Sequence, residues 1–242
     1  DETKDYPLDR YGDQVAPRQI RRDEWTSRYL YNNTYYTADP LLFPLDAGTN
    51  VISITNISND GLGLGGITAQ APNDIPSYED YHSKYNGSLV TSMVTINSNS
   101  YIHKNTTQAI YGAENNPDLM PHDSEYKLIN TLSWTEAGSE ISYEMEAPED
   151  GFYNIALHYK NPKEEFDVFN TIYIDGKIPF REMTSYAFNS TGNSWNNEIL
   201  SDEEDRPYEF YLTKGIPTIT LRAEMEPIVD AYNYARLISE HV

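Results

Sequence analysis

The chain has 242 residues, with 38 acidic side chains against 17 basic ones, no cysteine, and 21 tyrosines within a hydrophobic share of 38%. So large an acidic excess repels phosphate backbones and anionic lipid surfaces, which excludes generic nucleic-acid binding and electrostatic membrane association. The missing cysteines exclude disulfides, thiolate zinc sites and a cysteine nucleophile, no apolar run approaches the roughly 18 residues of a membrane span, and the first ten residues lack the charged-then-apolar plan of a signal peptide.

The first stretch with a strand signature is Pro40-Leu-Leu-Phe-Pro-Leu-Asp-Ala-Gly-Thr-Asn-Val-Ile-Ser-Ile54, preceded by Trp25 and followed by the glycine-rich Gly61–Gly66. The glycine run opens no helix, so it is no phosphate loop. Next, Ile75–Tyr85 predicts a short helix after Pro76, with Ser77 as N-cap and acidic residues in the first turn. Val94–Ser100 reads as the first strand of a second unit. Ile141, Tyr143 and Met145 alternate with Ser142, Glu144 and Glu146, which predicts a strand with one buried and one solvated face. Further strands are expected over Phe152–Tyr159, Val168–Ile174 and Ile178–Phe180, the last two joined by the tight-turn pair Asp175-Gly176. Tyr208–Leu212, a turn at Lys214-Gly215, Thr218–Leu221 and a closing strand over Tyr234–Ile238 complete the series. Short strands with regular turns and scarce helical periodicity predict an all-β antiparallel sandwich, a jelly roll.

An internal repeat divides the chain. At a constant offset, Pro40, Phe43, Leu45, Gly48 and Ile52 match Pro207, Phe210, Leu212, Gly215 and Ile219, and Trp25 and Trp195 precede their blocks at similar distances. Two copies of one hairpin unit are therefore expected, the first incomplete at its N-terminal side. The expected organisation is a partial sandwich over 1–76, a linker with a short helix over 77–88, and a complete sandwich over 89–242. Half a sandwich exposes strand edges and an apolar face, so residues 1–76 should dock on the second unit or be completed by another domain or chain.

The ordered series Trp134-Thr-Glu-Ala-Gly138, Ile141–Met145, Glu149–Leu157, Ile172-Tyr-Ile-Asp-Gly176, Trp195, Leu212-Thr-Lys-Gly215 and Thr218–Leu221 resembles carbohydrate-binding modules of the galactose-binding-like β-sandwich type. Asp175–Glu182, Arg206–Leu212 and Asp9–Gln19 are similar to tandem sandwich regions of extracellular solute-binding lipoproteins of sugar ABC transporters in Gram-positive bacteria. The resemblance implies a non-catalytic, surface-exposed, glycan-associated region. Its expected ligand is a neutral glycan or oligosaccharide, compatible with the acidic surface. A structural or docking sandwich without glycan binding is the rival reading.

Sugar sites stack an aromatic ring on a pyranose face and ring it with amides and carboxylates. Trp195, within the polar loop Asn189–Asn197, is the first candidate, with Asn193 beside it; the alternative role for this tryptophan is to close the core. Tyr232 and Asn233 are candidates because related modules carry a binding-site asparagine in the turn before the last strand. Trp134 reads as core. The resemblance also implies a structural calcium near the first strand, where this chain has only amides and hydroxyls. The run Ser201-Asp-Glu-Glu-Asp205 offers carboxylates for such an ion and equally reads as a solvated loop. No other cofactor is expected. The paired carboxylates Glu144 and Glu146 fall on the outer face of one strand, and the five histidines lack ligand spacing, so no catalytic group is assigned.

Overall fold

In the computed structural model the described residues are 7–13, 15, 20, 25, 27–32, 39–57, 61, 63–72, 74–98, 100–106, 110–111, 132–133, 136–163 and 166–240. Trp134 lies outside them. In chain order the elements are α1 (Tyr78–Ser83), β1 (His103–Lys104), β2 (Ile110–Tyr111), β3 (Leu132–Ser133), β4 (Glu140–Glu144), β5 (Gly151–Tyr153), β6 (Ala156–Tyr159) and β7 (Val168–Ile174). After a 3-10 turn at Arg181–Met183 follow β8 (Tyr186–Phe188), β9 (Asn196–Ile199), β10 (Phe210–Leu212), β11 (Thr218–Glu224) and α2 (Glu226–Glu240).

The fold is all-β and antiparallel, as expected. One sheet runs β1-β4-β11-β7-β8, and two short ladders, β10-β5 and β6-β9, form the other layer, while β2 pairs with β3. Leu221 on β11 lies between Ile141 of β4 and Ile172 of β7. Ile172 and Leu221 meet Phe210, Leu200, Phe180, Met183 and Phe188 in the main core, where each fully buried apolar side chain contributes about 1.5–3 kcal/mol.

The turn pair Asp175-Gly176 behaves as expected, with φ of 50° and 72°, the left-handed pair of a two-residue hairpin turn. Asp175 Oδ1 also accepts from the Thr218 amide at 2.8 Å, which ties this turn to the start of β11.

Several expected strands turn out differently. No strand is assigned among the described residues of Val94–Ser100, and the first strand of the sheet is β1. Phe152–Tyr159 is broken at Asn154-Ile155, because its first part pairs with β10 and its second with β9. Asn154 Nδ2 donates to the Tyr208 carbonyl at 2.9 Å across the break. Ile178–Phe180 does not form a strand: one bridge joins Ile174 to Lys177, and Phe180 then turns fully into the core. The expected closing strand over Tyr234–Ile238 is part of helix α2, so Tyr232 and Asn233 lie on a helix and not in a turn. Pro227 suits a first helical turn, and Ile228, Ala231, Tyr232, Ala235 and Ile238 carry the i, i+3, i+4, i+7 spacing of one helix face.

Helix α1 forms where expected, capped by the Ser77 side chain on the Asp80 amide. It is built into the sandwich. The Tyr78 and Tyr81 hydroxyls accept from the Glu209 and Tyr211 amides at 3.1 and 2.8 Å, so the helix supplies acceptors that a neighbouring strand would give to β10 and seals that edge. Their rings pack on Phe180 at centroid distances of 5.0 and 5.1 Å.

In residues 39–57 no strand is assigned. Asn50 Nδ2 donates to the Asp46 carbonyl at 2.8 Å and Gly48 takes a φ of 115°, so the turn of the first repeat block is present, while Leu41, Phe43, Leu45, Val51, Ile52 and Ile54 remain exposed. Trp25 lies over the glycine run: a Cβ on Gly65 would come within 3.1 Å of its ring. Residues 28 and 31 reach the five-stranded sheet. Arg28 pairs with Glu140 at 3.4 Å and lies 3.1 Å from His103 Nε2, and the Tyr31 ring covers the Arg222 guanidinium at 4.2 Å.

Candidate functional site

The second layer presents the β6-β9 ladder, in which His158 is paired with Asn197 and Leu157 with Glu198. Alternation sends Leu157 and Tyr159 toward the core and His158 outward. On the outer side, the His158 imidazole stacks on Trp195 with centroids 5.0 Å apart and planes 9° from parallel. His158 Nδ1 lies 2.7 Å from Asn197 Oδ1, a contact in which the nitrogen donates to the amide oxygen. Asn193, Asn196 and Asn197 are exposed around a half-buried Trp195.

The loop that brings Trp195 there is fixed by Asn161, which precedes Pro162 in the chain. Asn161 is buried. Its Nδ2 donates to the Phe166 and Phe188 carbonyls at 2.8 and 3.3 Å. Its backbone amide donates to Thr191 Oγ1 at 2.9 Å, and the Thr191 amide returns a 2.9 Å bond to its carbonyl. Gly192 then adopts a φ of 58°, and the Ser194 amide closes the turn on the Thr191 carbonyl at 3.2 Å. The Asn-Pro pair and the downstream Thr-Gly were visible in the sequence, but their mutual contact is not local.

Behind the ladder, Glu198 is held by two phenols. Tyr159 donates to Oε2 at 2.7 Å and Tyr186 to Oε1 at 3.1 Å. Burial and the neighbouring Glu198 push the Tyr159 phenol up to about 12; burial likewise raises Tyr186. Both phenols remain protonated donors at neutral pH, and they lock the strand that carries Asn196 and Asn197.

The four candidates fall on two elements. Trp195 and Asn193 share the β8–β9 loop, whereas Tyr232 and Asn233 share α2, where Tyr232 is 69% exposed. A groove of about 440 Å³ lined by Ser92–Thr95, Glu146 and Pro148 contains none of the four.

In the acidic run, Asp202 is engaged by Arg206, whose Nε donates at 2.7 Å, and by the Glu204 and Arg206 amides at 3.0 and 2.9 Å. Those bonds hold its carboxyl below the usual range despite some desolvation. Near the first strand, the Ser98 carbonyl accepts from the Tyr143 hydroxyl at 2.9 Å, and no carboxylate accompanies it in Val94–Ser100, so those residues do not fit a calcium ion. Among the described residues no cluster of three or more histidine or acidic side chains is placed to hold a metal. Glu144 and Glu146 are exposed, as the alternation predicts.

The arrangement can therefore do one thing: offer an indole face edged by amide donors and acceptors at the surface of a sandwich. No protein-family model matches the sequence, and no curated protein matches it. Among solved structures, the chain is similar to the native structure of a family 35 carbohydrate-binding module from Clostridium thermocellum, with 22% identity over 48% of this chain and 76% of that one at a TM-score of 0.35.

Proposed function

We propose that the chain is a non-catalytic carbohydrate-binding β-sandwich that holds neutral glycans at Trp195. The observation that carries this is the stack of Trp195 on His158 with exposed asparagines beside it. A pyranose placed on the indole buries its apolar C–H face there, while Asn193 and Asn197 meet its hydroxyls. The excess of acidic side chains favours neutral over anionic sugars. Tyr232 and Asn233 take part only in ligands long enough to extend to α2.

Affinity electrophoresis in gels containing neutral polysaccharides tests the assignment. Wild type is retarded and Trp195→Ala is retarded clearly less; equal retardation of the two removes Trp195 from the site. The setting we propose, a secreted or surface-anchored bacterial protein serving sugar uptake, rests on the sequence resemblance of Asp175–Glu182 and Arg206–Leu212. Detection of the protein in the cytoplasmic fraction of its native cells would contradict it.

A docking role is the second reading, favoured by the contact of Arg28 and Tyr31 with the five-stranded sheet. It predicts no retardation in any sugar gel and a partner that binds through residues 1–76.

A further inference from the structure

Away from the Trp195 loop, the β5-β10 ladder presents a second aromatic surface. Register pairs Phe152 with Tyr211, so both rings stand on one side of the ladder. The segment after Gly87 joins them as a third strand-like edge, with Leu89 bridged to Phe152 and the Phe152 amide donating to the Ser88 carbonyl at 3.1 Å. Over this face α1 and the turn after it lay two more rings: His82 stacks on Phe152 at 4.3 Å and 15°, and Tyr85 stacks on Tyr211 at 4.4 Å and 10°. Three residues apart, His82 and Tyr85 project from the same side of the helical turn.

Burial separates the inner from the outer rings of the stacks. Phe152 is 2% exposed and fills space, whereas Tyr85 is 39% exposed and the His82 side chain 43%. Next to them stands Glu209, whose Oε2 lies 2.8 Å from His82 Nε2 and whose side chain is 31% exposed. At Gly87 a Cβ would come 3.2 Å from the Tyr211 ring, so the glycine keeps the chain low beside the aromatic pair. Tyr78 and Tyr81 of the same helix pack their rings on Phe180, whereas Tyr85 and His82 leave theirs part exposed. This surface places a phenol, an imidazole and a carboxylate around an accessible ring, the combination that grips a sugar by one face and its hydroxyls.

We propose that Tyr85, Tyr211, His82 and Glu209 form a second binding surface for neutral pyranoses, separate from the Trp195 loop; it rests on the carbohydrate-binding reading. The Glu209 carboxylate selects against uronic and sulfated sugars. With two surfaces on one module, a polysaccharide that reaches both gains avidity that a short oligosaccharide cannot.

The test is affinity electrophoresis of the full chain in β-glucan, xylan, galactomannan and starch gels, together with calorimetric stoichiometry for oligosaccharides of the polymer that binds. Tyr85→Ala and Glu209→Gln are each expected to weaken retention about two- to tenfold, Tyr85→Phe to retain it, and the stoichiometry to fall from two sites to one in either Tyr85→Ala or Trp195→Ala. The double variant should lose all retention. Should Tyr85→Ala fail to fold, Glu209→Gln decides between the outcomes, since it keeps the helix contacts, and Tyr85→Phe serves as the folded control. One site in wild type, lost with Trp195→Ala and untouched by Tyr85→Ala or Glu209→Gln, overturns the second surface while the Trp195 reading stands. Retention lost with Tyr85→Ala and untouched by Trp195→Ala does the reverse, and a wild type that no sugar retards overturns both.

Discussion

The outer sides of the two layers obey the same alternation and end in opposite environments. On the five-stranded sheet, Arg222 and Glu224 project outward from β11, yet both side chains are fully buried and bonded at 2.6 Å. The guanidinium lies between the Tyr31 ring at 4.2 Å and the Tyr173 ring at 5.2 Å. On the β6-β9 ladder, His158 and Asn197 project outward and stay exposed. The difference is a cover: the segment holding Arg28 and Tyr31 lies on the first face. A buried ion pair has lost its water and depends on every remaining partner, whereas the outward side chains of the exposed ladder keep theirs and are available to a ligand. Burial works against the Arg222 charge, but Tyr173 and Glu224 more than offset it and keep its pKa above the ordinary guanidinium value.

The largest expected effect is alkaline and strikes both layers at once. Tyr81, Tyr159 and Tyr208 are pushed up from 10.0 to about 12, chiefly by burial, and burial raises Tyr173 and Tyr143 as well. Folded phenols thus keep their protons to a higher pH than unfolded ones. Their stabilisation is complete below about pH 10 and is lost as the pH rises toward 12. Phenolate absorbance should appear together with loss of the β-sheet dichroism; phenolates formed near pH 10 with the sheet intact would show these rings open to water.

Among substitutions, Glu224→Ala should cost the most, about 3–5 kcal/mol in denaturant unfolding, because Arg222 would be left charged and buried. Arg222→Met with Glu224→Leu should recover most of that loss; if the double replacement is as unstable as the single one, the pair is not the reason for the cost. Asn161→Ala comes next, at about 1–3 kcal/mol from the unsatisfied Phe166 and Phe188 carbonyls. It should also reduce glycan retention by loosening the Trp195 loop, although Asn161 itself is buried. Tyr31→Ala should remove about 0.5–2 kcal/mol and speed proteolytic removal of the N-terminal region; unchanged cleavage would mean that the cover is held elsewhere. The smallest change in stability belongs to Trp195→Ala, which should keep Tm within a few degrees while removing the retention that the Trp195 loop provides. A large drop in Tm would make this tryptophan a core residue.

Much of the architecture was legible in local pattern. β4 and β7 were read from alternation and from the Asp175-Gly176 turn, and α1 from its Ser77 cap. The two repeat blocks mark where that legibility stops. Pro207–Leu221 and Pro40–Ile54 share their apolar positions and turn glycine, but Phe210, Leu212, Ile219 and Leu221 are buried against β4, β5 and β7, whereas the described residues of the first block form only the turn. A strand is completed by partners far away in sequence, and pattern does not name them. The misreading of Tyr234–Ile238 has another origin: apolar residues close together fit a strand as well as a helix, and only the wider window from Pro227 separates them.

For the candidate site, the sequence pointed to Trp195 and Asn193 because an indole among amides is a chemical signal in itself. It did not show His158, Asn161, Glu198 or the Tyr85–Tyr211 stack, since each acquires its role from a residue on another strand or helix. By itself the sequence determined the all-β class, the turns and the acidic surface, which follow from side-chain period, backbone preference and charge. Tertiary structure decided which outward-facing residues are buried and which meet solvent, because burial depends on what the folded chain lays over a face, and contacts between distant segments are set only when the layers close.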